Sequence, residues 1–384
     1  MNMVSQVRWA LGVGAVAAVM ALLAGCQTQP VKTLQASSAA ATASSAQQGI
    51  ITDRNQIAIQ VPVAWGGEVR CRNGSCLLAA VEHEESMVVV HRIQGRKSTP
   101  LDRAKVAYHP DSAAWLEDDL LVAAVEATNT LDIFRVKNDK LERLQQIKVN
   151  LPPRDVIVVK AENGRYTLMA TPYSGKQVAF VLDWAVSDTK APNVQKTTWC
   201  EAPWHPTKLP MAKGITGPAI GLACLDGKQL MAVPVSDLLA KPTVLANFPV
   251  VSRNARPTPS GKWVYVSLET EARNARVSME TGELQWVKSP LTGSVSVAPL
   301  DDDLVVWGED RELYLQRLDA QGEVLETRWY AVNGFATTLQ LLDVDNDGER
   351  DVVVYNSGGE TIDIVYGPLW GNAKPERIRK PRVP

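Results

Sequence analysis

Seven short apolar runs, each bounded by turn residues, recur along this chain at a nearly constant spacing. They lie at residues 76–82 (CLLAAVE), 120–126 (LLVAAVE), 166–171 (YTLMAT), 218–224 (PAIGLAC), 263–268 (WVYVSL), 304–308 (LVVWG) and 352–355 (VVVY). Their centres, near 79, 123, 168, 221, 265, 306 and 353, are separated by steps of 44, 45, 53, 44, 41 and 47 residues. Most are followed by a turn and a second β-type run, as at 87–93, 131–136 and 229–234, and nothing with a sustained helical period competes. A period of 40–50 residues holding several short strands predicts an all-β chain, specifically a seven-bladed β-propeller of four-stranded blades. A pair of β-sandwiches also places strands close together, but it does not impose one period over about 275 residues. Residues 56–63 (QIAIQVPV) form a strand ahead of the first unit, and no good strand follows residue 366. The early strand is therefore expected to complete the last blade.

The 384 residues carry 40 Lys+Arg against 42 Asp+Glu, a net charge of −2. That balance argues against nucleic-acid binding, which needs a basic face. The first 25 residues read as a leader: a short start whose only charge is Arg8, then an apolar core at 10–23, too short to span a bilayer comfortably. Leu23-Ala24-Gly25-Cys26 resembles the bacterial lipobox at all four positions. The resemblance implies cleavage before Cys26, acylation of that cysteine, and membrane attachment through its acyl chains. With Gln27 in place of the Asp that retains many such lipoproteins in the inner membrane, it also implies an outer-membrane, periplasm-facing address. Residues 27–49 are mostly Ala, Ser, Thr and Gln and cannot bury enough surface to offset their ordering entropy. The expected organisation is a signal peptide at 1–25, Cys26 and a flexible tether at 26–54, the propeller at 55–370, and a basic, Pro-rich tail at 371–384.

Four further cysteines, an even number in an exported chain, suggest two disulfides. Cys71 and Cys76 flank Arg72-Asn73-Gly74-Ser75, and Asn-Gly is the strongest two-residue hairpin signal. In that hairpin Cys71 and Cys76 face each other at a non-hydrogen-bonded position, where strands approach most closely. By elimination Cys200 pairs with Cys224.

Residues 343–351 (DVDNDGERD) place carboxylates at positions 1, 3, 5 and 9 with Gly at 6. Asp343, Asp345, Asp347 and Asp351, with the backbone carbonyl of Glu349, supply the oxygens that Ca²⁺ requires. Four Asp within nine residues repel one another unless a cation is present. Position 12 is Val354, within a strand, so a helix–loop–helix site does not fit. The segment instead resembles the FG-GAP (VCBS-type, integrin-α-like) propeller blade, over about 30 residues from 338 to 367. That resemblance implies a structural Ca²⁺ with no open position for chemistry.

Turns in a four-stranded blade alternate between two faces. The 71–76 hairpin, Asp301-Asp302-Asp303 and the 343–351 loop fall on one of them. Cys200 and Cys224 fall on the other, with Trp204 and His205 on a Pro-rich stretch between them that Trp199 precedes. That stretch is either a contact surface, since Trp is enriched at binding hot spots, or a small satellite core. The four His residues show no zinc spacing, and no G-x-S-x-G, P-loop or dinucleotide fingerprint occurs. The leading expectation is a lipid-anchored scaffold or inhibitor that binds an unidentified periplasmic or outer-membrane protein through a propeller face. The alternatives are a Ca²⁺-dependent enzyme acting on polysaccharide or phosphate esters, and a glycan-binding propeller without turnover. His205 beside Asp or Lys would favour the enzyme.

Overall fold

The computed structural model describes residues 50–378. The leader, Cys26, the tether up to residue 49 and the basic end from residue 379 lie outside the described residues.

Among the described residues, strands are grouped into five four-stranded antiparallel sheets and one seven-stranded sheet. Sheet I comprises Ala64–Arg72, Ser75–Glu82, Met87–Gln94 and Lys97–Lys105; sheet II comprises Pro110–Trp115, Leu120–Val125, Thr130–Lys137 and Lys140–Lys148. Sheet III comprises Pro153–Glu162, Arg165–Pro172, Gln177–Trp184 and Asn193–Thr198. Sheet IV comprises Pro203–Leu209, Ala219–Cys224, Gln229–Pro234 and Thr243–Asn247, and sheet V comprises Ser252–Pro257, Trp263–Leu268, Arg273–Ser278 and Leu284–Lys288. Sheet VI runs Ser296–Pro299, Leu304–Gly308, Asp310–Leu318, Val324–Leu342, Asp351–Ser357, Thr361–Val365, and ends on the early strand Gln56–Gln60.

The seventh repeat is thus fused to the sixth. The 19-residue strand Val324–Leu342 pairs through 324–335 with Asp310–Leu318 and through 335–342 with Asp351–Ser357. No connecting turn separates the two halves because Phe335 is paired in both. The early strand completes the last repeat with Gln56 opposite Val365 and Gln60 opposite Thr361.

Burial explains which strands are visible in the sequence. The second strand of each unit is covered on both faces: every residue of Leu120–Val125, Ala219–Cys224 and Trp263–Leu268 is buried. Such strands read as continuous apolar runs rather than alternating ones. The fourth strands of sheets I and II, Lys97–Lys105 and Lys140–Lys148, are largely exposed edges rich in Lys and Arg, a composition that discourages edge-to-edge pairing.

Apolar clusters fill every junction between successive units. Sheets I and II share one, followed by II–III, III–IV, IV–V and V–VI. Another lies between the two halves of sheet VI, and one more joins the end of sheet VI to sheet I. First strands touch in the same order, and the 324–342 strand touches Ala64–Arg72. At that seam the Gln340 side chain accepts a hydrogen bond from Val69 N–H at 2.7 Å and donates one to Val69 O at 2.7 Å. Gly67 makes the seam close: a Cβ there would lie 2.7 Å from Cε1 of Tyr355 in sheet VI.

Both disulfides form as expected, Cys71–Cys76 across the Asn73-Gly74 turn and Cys200–Cys224 between sheets III and IV. The region after residue 370 departs from the expected solvated tail. A short helix, Leu369–Asn372, is followed by Lys374 bridging Trp329, and Arg377 pairs with Glu312 at 2.8 Å.

Candidate functional site

Six first-strand segments share an irregularity near their start. Register slips occur between Ala64 and Gly67, Pro110 and Ser112, Pro153 and Asp155, Trp204 and Thr207, Ser252 and Asn254, and Ala336 and Thr338. A β-bulge re-aims the extra residue and is common beside functional sites. Here the bulges fall on Trp65-Gly66, Asp111, Arg154, His205-Pro206, Arg253 and Thr337. His205 takes a left-handed φ of 48°, uncommon for a residue other than Gly, Asn or Asp.

These bulges gather at the end of the sheets where second-to-third-strand turns and inter-sheet connections lie. A continuous path of rings and cations crosses them. Tyr108, 58% exposed, meets His109 at 4.0 Å between centroids; His109 meets His83 at 4.1 Å, and His83 meets Trp65 at 5.4 Å. The Arg154 guanidinium lies 5.9 Å from the Trp65 ring and 3.9 Å from the Trp204 ring. Trp204 then reaches Tyr173, 49% exposed, at 5.4 Å. Arg253 covers Trp204 at 5.5 Å and Phe335 at 5.6 Å.

Inward of this mouth lies a cavity of about 510 Å³, lined by first strands of sheets I to V and by Thr338. Its charged lining comprises Glu68, Arg70, Asp155, His205, Lys208 and Arg256. Asp155 Oδ2 accepts hydrogen bonds from Arg154 at 2.6 Å and from the His205 backbone N–H at 2.9 Å. Burial alone would raise the Asp155 carboxyl, but Arg154, His205 and those hydrogen bonds outweigh it and hold it below its ordinary value. Burial drives His205 well below its ordinary value; Asp155 opposes this, and Arg154, Arg256 and Arg253 reinforce it. The imidazole is therefore neutral, with Nδ1 3.6 Å from Asp155 Oδ1 and a buried Nε2 that has no partner among the described residues. Burial likewise raises Glu68 and lowers Lys208, and it brings Arg256 down to about 10.

Trp199, Trp204 and His205 are corrected in part by this geometry. All three are buried, and Pro203–Leu209 is a strand rather than a loop. Trp199 packs in the cluster between sheets III and IV, and its indole N–H donates to Thr197 Oγ1, so it offers no contact surface. Trp204 lies beneath the exposed Tyr173, to whose carbonyl it donates, and His205 lines the cavity. The sequence-based expectations missed Arg154, Asp155, Lys208, Arg253 and Arg256.

The acidic loop joins the last half of sheet VI to Asp351–Ser357. Asp343, Asp345 and Asp351 each bring a carboxylate oxygen within 4.8 Å of the other two. Asp343 also accepts the N–H groups of Asp347 at 3.1 Å and Gly348 at 3.0 Å, shaping the turn. Asp351 is buried and accepts N–H bonds from Val344 and Gly367, at 2.7 and 2.9 Å; burial pushes its carboxyl up to about 6. Asp347 turns instead to the Glu349 N–H at 2.8 Å. From sheet I, Arg96 reaches Asp345 Oδ2 at 2.8 Å and lies 4.6 Å from the Tyr366 ring centroid. Asp345 Oδ1 is buried without a partner among the described residues. Asp343, Asp345 and Asp351 thus offer three convergent hard oxygens of the kind that ligate a divalent cation, about half of the six to eight that Ca²⁺ takes. Of the four expected carboxylates, those of Asp343, Asp345 and Asp351 come together, whereas that of Asp347 stands outside the cluster.

No protein-family model matches the chain, and no curated protein matches it.

Proposed function

We propose that the chain is a seven-bladed β-propeller lipoprotein, acylated at Cys26, facing the periplasm from the outer membrane and serving as a protein-binding scaffold or inhibitor. Closure is supported by the cyclic order of first-strand contacts, with residues 335–342, Asp351–Ser357, Thr361–Val365 and Gln56–Gln60 as the seventh blade. The lipobox motif supports the anchor.

The path from Tyr108 through Trp65, Arg154 and Trp204 to Tyr173 carries the binding assignment. Tyr, Trp and Arg dominate binding hot spots, and here the exposed Tyr173 stands over the buried Trp204–Arg154 stack, to which the exposed Tyr108 connects through His109, His83 and Trp65. The stacks hold the face rigid, so little side-chain entropy is lost on docking. On the other face, Ca²⁺ would be held by Asp343, Asp345 and Asp351, stapling the 343–351 hairpin of the last blade.

The experiment is co-isolation from crosslinked membranes, comparing the wild type with the double variant Tyr108→Ala/Tyr173→Ala. One stoichiometric protein, lost in the variant, is expected. Equal recovery from both forms would remove this face from the assignment, and Cys26→Ser protein that still carries acyl chains by mass spectrometry would remove the anchor.

One observation favours an enzyme: His205 lies beside Asp155 in a cavity, with its protonation strongly biased by burial. Asp155, however, spends one oxygen on Arg154 and the His205 backbone, and the ring nitrogen is 3.6 Å from the other. That distance is too long for the hydrogen bond that orients a general base. Ca²⁺-dependent turnover of a phosphate ester or polysaccharide, abolished by His205→Gln, would establish the catalytic alternative.

A further inference from the structure

Three cationic or neutral nitrogen groups line the cavity behind the mouth without full engagement. Lys208 is the exposed residue of its strand and lines the cavity, and its Nζ has no hydrogen bond or ion pair among the described residues; the Glu68 carboxylate acts on it only through space. Arg256 hydrogen-bonds through Nη1 alone, to the carbonyl oxygens of Ala255 at 2.9 Å and His205 at 3.4 Å. His205 Nε2 is buried and unpartnered, in a residue only 5% exposed.

The carboxylates that share the lining are already occupied. Glu68 accepts the Trp115 backbone N–H at 2.7 Å, and Asp155 is held by Arg154 and the His205 N–H. Withdrawing the Arg256 guanidinium even partly from water is costly unless its donors are satisfied. Arg154 and Arg253, both stacked on Trp204 at the mouth, already engage Asp155 at 2.6 Å and Glu269 at 2.8 Å, so those carboxylates are not free to serve Lys208 or Arg256. The lining is therefore short of acceptors.

We propose that this cavity is a binding site for a small dianion, a phosphate group or a dicarboxylate, held by Lys208 and Arg256. Arg256 presents a planar fork suited to two anionic oxygens, and Lys208 supplies a point charge from the neighbouring position on sheet IV. A volume of about 510 Å³ accommodates either ligand with bridging water. The site is separate from the outer Tyr108–Tyr173 surface and does not depend on a protein partner.

The test is calorimetric titration of the full acylated chain in neutral detergent with inorganic phosphate, succinate and the uncharged succinamide, at constant chloride. Saturable binding of phosphate, succinate or both is expected, with none for succinamide. Phosphate alone would define a phosphate site, succinate alone a carboxylate site. Lys208→Gln is expected to weaken binding about tenfold or more, and Arg256→Gln similarly, with Arg256→Lys recovering part of the loss. The proposal is overturned if neither anion binds the wild type, or if Lys208→Gln, at a partly exposed position tolerant of change, leaves the affinity unaltered. The wild-type arm needs no variant to fold.

Discussion

Glu309 follows the strand Leu304–Gly308 and ties its backbone to Glu312 and Ala336, while one carboxylate oxygen is buried without a partner among the described residues. Burial pushes its carboxyl from 4.5 up to about 7, against a hydrogen bond from Ser294 and with a further push from Glu312. Between those two values the folded protein binds a proton that the unfolded chain does not. The cost is therefore absent below pH 4.5 and grows as pH rises through 7. Glu309→Gln is expected to stabilise the fold at pH 8 by about 1–2 kcal/mol, a fraction of the roughly 1.4 kcal/mol per pH unit because the group keeps some solvent. At pH 4.5 it should be neutral, and urea melts at the two pH values check this. At the same scale, the cavity charges were hard to find because a lone Arg or Asp in a strand looks like an ordinary solvent-facing residue. One signal existed: Asp111, Arg154, His205 and Arg253 recur at steps of 43, 51 and 48 residues, close to the blade period. Charges repeating in phase with the fold mark equivalent bulges. Trp199 and Trp204 drew attention by residue type, but burial inside a sheet junction cannot be told from a hot spot by composition.

Elements differ in how plainly they announce themselves. Second strands, buried on both faces, and the Asn73-Gly74 hairpin were legible, because a continuous apolar run and a left-handed turn each demand particular residues. Lys-rich fourth strands were nearly silent. The fusion of two repeats through Val324–Leu342 was hidden, since Asn333-Gly334 resembles a turn yet lies inside the strand. The close approach of Asn356 and Gly359 accounts for that glycine: a Cβ on Gly334 would come within 2.8 Å of Asn356 Cβ. The acidic loop was legible as a motif, but only three of its carboxylates converge, because Asp347 serves the turn itself. Millimolar Ca²⁺ is expected to raise the melting temperature relative to EDTA, by the equivalent of about 2.7 kcal/mol at a hundredfold excess over Kd. Asp345→Asn should erase most of that difference. Identical melting curves for the wild type in Ca²⁺ and EDTA would rule the ion out.

At the scale of the whole molecule, the closing pair lies far apart along the chain: Gln56 faces Val365, 309 residues later (365 − 56). Deleting residues 50–61 should leave Thr361–Val365 as an exposed apolar edge, Ile362 and Ile364 included, and produce concentration-dependent association measurable by light scattering. Strand Gln56–Gln60 is also the first of these strands to be synthesised and the last to find its partner. Until residues 361–365 emerge, Ile57 and Ile59 have no strand to pair with, so this short segment must wait while some 300 residues are synthesised. Formation of the last pairing consequently carries the largest loop-closure entropy in the molecule, and folding has a natural final step. A circular permutant that moves the segment to follow residue 366 would turn that long search into a local hairpin and shorten the wait, leaving the finished architecture unchanged.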